Sequence, residues 1–271
     1  MLVDTDSLAL APGVALDRGR LADQVRGAAW PLNASGAFVL CRAGVPVGQV
    51  VREIADAFSL PPEAARGDLL RFAWRLNALA LVNIERGETR RARLVEWLVL
   101  AARLAPAGAL PAPIARRRAL DTRSVPRAVA SSLGATAARA VVLAATATLV
   151  ALQVAVLAGV LALDGSLALG LGAGLGLGLH EAGHAAALRG VPSALVTRGC
   201  RTYVLHARVD ATRRSAVAVA GPGAAAGLGV AAILGGAALT APALALAGCP
   251  LAAHAFALTV AGGDGRIACG L

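Results

Sequence analysis

Between Ala140 and Leu163 the chain carries no charged residue over 24 positions, and between Ser215 and Gly263 it has no Asp, Glu, Lys or Arg at all. A soluble helix keeps a polar face toward water, whereas about 20 apolar residues in succession suffice to cross a bilayer. Ser166–Leu188 supplies a further apolar run after a turn at Asp164-Gly165, and Pro242 bends the last stretch into two. The pattern predicts a multi-pass α-helical membrane protein with about four membrane segments, preceded by a small N-terminal α+β domain. Composition agrees: 57% of residues are hydrophobic, only 3% are aromatic, and the mean hydropathy is +0.68, with the apolar excess lying after Arg139.

Arginine sets the orientation. The net charge of +10 comes without a single lysine, and arginines cluster in three places: between Arg86 and Arg139, in the six-arginine stretch Arg189–Arg214, and at Arg266. Asp164 and the turn at 238–245 fall on the opposite side. Because positively charged loops stay cytoplasmic, the expectation is a cell-membrane protein whose N-terminal domain faces the cytoplasm. Its basic juxtamembrane segment would meet anionic lipid, and nucleic acid is not an expected partner. No charged n-region precedes an apolar core at the N-terminus, so a cleaved signal peptide is not expected. Cys41, Cys200, Cys249 and Cys269 form no CxxC pair and are read as ordinary thiols.

Inside the second apolar run lies His180-Glu181-Ala182-Gly183-His184. At about 3.6 residues per turn, positions i and i+4 face the same way and can present two imidazole nitrogens to one ion. Ionisable side chains at membrane depth are costly, so the cluster is a candidate functional site. Two histidines with an adjoining carboxylate fit a catalytic zinc site, with Glu181 as the base acting on a water. Such sites use a third protein ligand. Asp264, a lone carboxylate at the end of a long uncharged stretch, is the first candidate, and His254 is its competitor.

The N-terminal half reads as a loose tail over residues 1–12 and a compact domain over 13–86. Extended stretches are expected near Val14–Leu16 and Ala28–Leu32, making a hairpin. Asn33 should cap a short helix through Arg42, and Pro46 should open a second with Val47, Val50, Val51, Ile54 and Phe58 on its apolar face. Pro61-Pro62-Glu63 should start a third helix carrying Leu69, Leu70, Phe72, Ala73, Leu76 and Leu79, and Leu81–Ile84 should close as a strand. Residues 87–139, rich in Arg, Pro and Ala, read as a juxtamembrane linker with one helix near Arg91–Leu104. Alternating positions Tyr203, Leu205 and Ala207 point to a short hairpin or re-entrant loop within 189–214.

Over about residues 140–271 the chain resembles the site-2 protease family of intramembrane zinc metallopeptidases. The residues that carry the likeness are His180, Glu181 and His184, then Gly221-Pro222-Gly223, then Asp264-Gly265-Arg266. The resemblance implies Zn2+ held by His180, His184 and Asp264, catalysis by Glu181, and a substrate-binding region at Gly221, Pro222 and His254. Alanines follow Gly223 where the family has asparagine, and Val260-Ala261-Gly262-Gly263 lacks the family's asparagine and proline. Only six residues follow Gly265, so the final helix is expected to be short.

The N-terminal domain is similar to the winged-helix-like PqqD domains that bind leader peptides of ribosomally made, modified peptides. Pro31-Leu32-Asn33-Ala34-Ser35-Gly36-Ala37, the Val47–Phe58 helix and Asp68-Leu69-Leu70 through Leu81-Val82 carry that likeness. It implies strand addition of a peptide near Val25–Leu32; the plainer alternative is a winged helix that binds DNA or only packs. Together the two halves imply a membrane metalloendopeptidase acting on a modified-peptide precursor or a membrane-associated protein, with a peptide-modifying enzyme or exporter as further partners. The alternatives are an inactive membrane escort for a modified peptide and release of a membrane-tethered regulator.

Overall fold

The computed structural model describes residues 2–87, 114–158, 163–199, 201–259 and 264. The helix expected near Arg91–Leu104, together with Cys200, Gly265, Arg266 and Cys269, lies outside the described residues. The chain divides into two compact units: residues 1–119 with 194–208, and residues 120–193 with 209–271.

The first unit opens with β1 (Ser7–Leu10), which pairs antiparallel with β5 (Val82–Glu85) from Ser7↔Glu85 to Leu10↔Val82. The expected loose tail is therefore a correction. Leu2 is 1% exposed, Leu8 is buried, and β1 takes the hydrogen-bonding edge that β5 would otherwise leave open. A three-stranded meander follows, β2 (Val14–Asp17), β3 (Arg20–Asp23) and β4 (Ala28–Pro31), where a hairpin was expected. Strand β3 escapes notice because its turn is Arg18-Gly19, with φ of 44° and 72°. Two residues at positive φ match the twist of a tight hairpin, but the usual Asn-Gly signal is absent.

Three helices complete the domain, starting where Asn33, Pro46 and Pro61-Pro62 predict: α1 (Ala34–Leu40), α2 (Val47–Phe58) and α3 (Pro62–Ala78). Asn33 Oδ1 accepts from the Gly36 amide at 2.8 Å, satisfying one of the amides that open α1. On α2, Val47, Val50, Val51 and Ile54 repeat at helical spacing and are buried with Leu8, Leu69, Ala73 and Ile84 in one core.

Within the segment read as linker, residues 115–119 form β6 (Ala115–Ala119). It pairs antiparallel with β7 (Ser193–Arg198), and β7 is flanked by β8 (Arg201–His206). The 189–214 stretch thus holds the expected hairpin, and the linker reading gives way to a strand. Side chains hold the other edge of β6. The Asn77 side-chain amide bonds both the N–H (2.8 Å) and the C=O (2.7 Å) of Ala115, and Asn83 does the same for Arg117 (2.8 and 2.9 Å). Two residues apart, these positions point the same way, so two amide side chains act as a neighbouring strand would. Arg117 itself is 1% exposed and forms a two-armed pair with Asp23, both contacts at 2.8 Å.

The second unit is helical: α4 (Val125–Ala158), α5 (Leu163–Ala187), α6 (Ala211–Ala238) and α7 (Pro242–Ala252), the last continuing as a 3-10 turn over Ala253–Leu258. Among the described residues, α4 and α6 are long and apolar enough to cross a membrane. Helix α4 begins 15 residues before the expected Ala140, because Ala128, Ser132 and Thr136 are buried as part of it. Asp164, expected in a turn, lies in the first turn of α5.

Helix α5 owes its packing to glycine. A methyl group on Gly170 or Gly174 would run into α4 at Thr148, Ala144 or Ala140, and one on Gly172 would meet the α7 backbone at Ala247. Glycines four apart let two helix backbones approach closely, which in an apolar medium is what holds helices together.

Candidate metal centre

His180 and His184 stand one turn apart near the C-terminal end of α5, their rings 4.8 Å apart and inclined at 77°. Asp264 comes to them from 80 residues further along the chain. His180 Nε2 lies 3.1 Å from His184 Nε2 and 3.3 Å from Asp264 Oδ2, and His184 Nε2 lies 3.7 Å from the same oxygen. Tetrahedral coordination with bonds of about 2.0–2.1 Å sets neighbouring donor atoms roughly 3.3 Å apart, so the three atoms are spaced to hold one ion. They form a candidate metal cluster among the described residues.

The orientation of His184 is fixed from behind. Its Nδ1 is 2.7 Å from the Val217 carbonyl of α6, and the N–H that donates there leaves Nε2 with its lone pair facing the site. His180 is held in the same manner by a different group: its Nδ1 lies 3.0 Å from Nδ1 of His254. His254 therefore meets the edge of the His180 ring remote from Asp264. Asp264, and not His254, is on the donor side of both imidazoles.

Glu181, the expected base, is 4% exposed, and its Oε2 is buried with no hydrogen-bonding partner among the described protein atoms. A carboxylate oxygen kept from water without a donor is costly, so such an atom beside a histidine pair fits a group that handles protons or meets a ligand. The donor set of two imidazoles and one carboxylate likewise fits a divalent ion with nitrogen and oxygen preference.

Gly221 and Pro222 are buried within α6. A methyl group on Gly221 would collide with the His184 imidazole at Nε2, so glycine here gives the ring its room. Pro222 has no amide hydrogen and leaves the carbonyl four residues earlier, that of Ala218, without its helical donor. Sequence reasoning missed two contributors. The Val217 carbonyl is a backbone group with no side-chain signature. Gly176, whose added methyl would stand 2.7 Å from His254 Nε2, was visible only as one member of the glycine series 170, 172, 174, 176 and 178. Comparison with protein-family models, with curated proteins and with solved structures gave no match to this chain.

Proposed function

We propose that this chain is a membrane-embedded zinc metalloendopeptidase, with four membrane segments formed by α4, α5, α6 and the α7 turn region. The observation that carries the reading is the meeting of His180 Nε2, His184 Nε2 and Asp264 Oδ2 within 3.7 Å of one another. His180, His184 and Asp264 would hold the ion, and a zinc bound there would supply polarisation of a scissile carbonyl and a water made acidic near neutral pH. Glu181, next to His180 in the chain and unpartnered at Oε2, takes the proton of the attacking water and returns it to the departing amine. Val217 holds His184 in the required tautomer.

The N-terminal unit fits delivery of an extended peptide. Strand β4 ends its meander with one free edge among the described residues, where a peptide could add by backbone hydrogen bonding. The substrate class follows: a peptide precursor, or a membrane-associated segment, recruited on the arginine-rich side that the topology rule makes cytoplasmic.

Purified full-length protein should contain about one zinc per chain. Glu181→Gln should keep that zinc and lose cleavage of a membrane-anchored test peptide by 100-fold or more, on the order of a general base's contribution. Cleavage undiminished in Glu181→Gln would remove Glu181 as the base. A wild-type chain that takes up no zinc yet still binds peptide would replace the peptidase by an escort protein.

A further inference from the structure

His184 is oriented by a backbone carbonyl, that of Val217, whereas the Nδ1 edge of His180 meets a side chain instead. What His180 has is another imidazole. His254 Nδ1 lies 3.0 Å from His180 Nδ1, with the two rings 5.0 Å apart and tilted by 45°. A hydrogen bond between two ring nitrogens needs one to donate and the other to accept. If His180 Nε2 is to offer its lone pair to an ion shared with Asp264, His180 Nδ1 carries the hydrogen, and His254 Nδ1 must be the acceptor.

Three features show that His254 is built into this position. It sits on the 3-10 turn Ala253–Leu258, which follows Pro250 near the end of α7. Its Nε2 rests against Gly176, where an added methyl would come within 2.7 Å, so the α5 glycine one turn before His180 makes space for the ring. Its contact to His180 is on the Nδ1 edge, across the ring from the donor nitrogen, which puts it behind the ligand and outside the coordination sphere.

We propose that His254 is a positioning residue for the metal centre: as a neutral hydrogen-bond acceptor it sets the tautomer and ring orientation of His180. Partners of this kind are usually carboxylates or carbonyls, and losing one typically costs 10- to 100-fold in metal affinity. An imidazole acceptor adds no charge to a site that already has Asp264 and Glu181. The inference rests on the metallopeptidase reading, and its test separates the two.

The experiment uses the full chain in detergent. Zinc affinity is measured by competition with a chromophoric chelator, and cobalt(II) is used as a spectroscopic probe of the ligand field. His254→Ala is expected to weaken zinc 10- to 100-fold and alter the cobalt spectrum. His254→Asn, which places an amide oxygen near the original Nδ1, should recover affinity to within a few-fold together with the wild-type spectrum. Gly176→Ala, which pushes the ring away without deleting it, should resemble His254→Ala. Zinc affinity and cobalt spectrum unchanged in His254→Ala overturn the proposal while leaving the metal centre standing. Equal weakening in the Ala and Asn variants also overturns it, since a filler of space would be rescued by neither acceptor nor tautomer. If wild-type protein binds neither ion, the metallopeptidase reading fails, and this proposal fails with it.

Discussion

At the scale of the residue, the site depends on how closely side chains may approach a helix backbone. Gly221 shows this best, since any Cβ at that position meets the His184 ring. Gly221→Ala is expected to turn that imidazole off the Val217 carbonyl and lower zinc content at least tenfold, while the circular dichroism of the helices stays near wild type. Asp264→Asn should have a similar effect by another route, because an amide oxygen is a poorer ligand than a carboxylate; equilibrium dialysis against zinc measures both. The identity of these residues was legible in the sequence. HEAGH states its own spacing, and the carboxylate of Asp264 stands out in uncharged surroundings. The tautomers were hidden, because they depend on Val217 and His254, which lie 33 and 74 residues from the imidazoles they hold.

At the scale of the element, β6 is the instructive case. Ala115-Arg116-Arg117-Arg118-Ala119 has the composition of a basic linker, yet it is a strand because Asn77, Asn83 and Asp23 receive it. Asn77→Ala would leave the buried N–H and C=O of Ala115 without those partners, and the loss should be about 2–4 kcal/mol, in the range for buried polar groups deprived of hydrogen bonds. Urea unfolding followed by tryptophan fluorescence measures it, since Trp30 and Trp74 both lie in this unit. Removing one partner of the Arg117–Asp23 pair should cost more, about 3–5 kcal/mol for Asp23→Asn, because an uncompensated guanidinium stays buried. The helices α1, α2 and α3 were legible because capping and periodicity are local. Strands β1 and β6 were not, because each is defined by a partner far along the chain, and β3 was not because its Arg18-Gly19 turn lacks the usual hairpin signal.

At the scale of the whole molecule, pH should act first on the unit that contains Asp23. Burial pushes the Asp23 carboxyl up, but the hydrogen bonds and charge of Arg117, helped by Arg26, outweigh it and hold the group below its ordinary value. A carboxylate depressed in the folded state stabilises fully above its unfolded pKa of about 3.9, and that contribution is lost as pH falls through the folded value. Acid titration monitored by tryptophan fluorescence should therefore show wild type losing stability below about pH 4, with a shallower dependence in Asp23→Asn. Orientation is tested by Cys41, which is exposed: with the other cysteines replaced, a membrane-impermeant thiol reagent should label it in inside-out vesicles and spare it in intact cells. By itself the sequence determined the apolar helical half, the arginine bias, the three N-terminal helices and the histidine pair, because each follows from hydropathy, charge or helical periodicity within a few turns of chain. Only the tertiary structure decided that a basic stretch becomes β6, that the N-terminal residues pair with β5, and that Asp264 stands before the imidazoles while His254 stands behind one of them. Those outcomes turn on which distant groups satisfy a hydrogen bond or leave a ring its space, and such partnerships have no period along the chain.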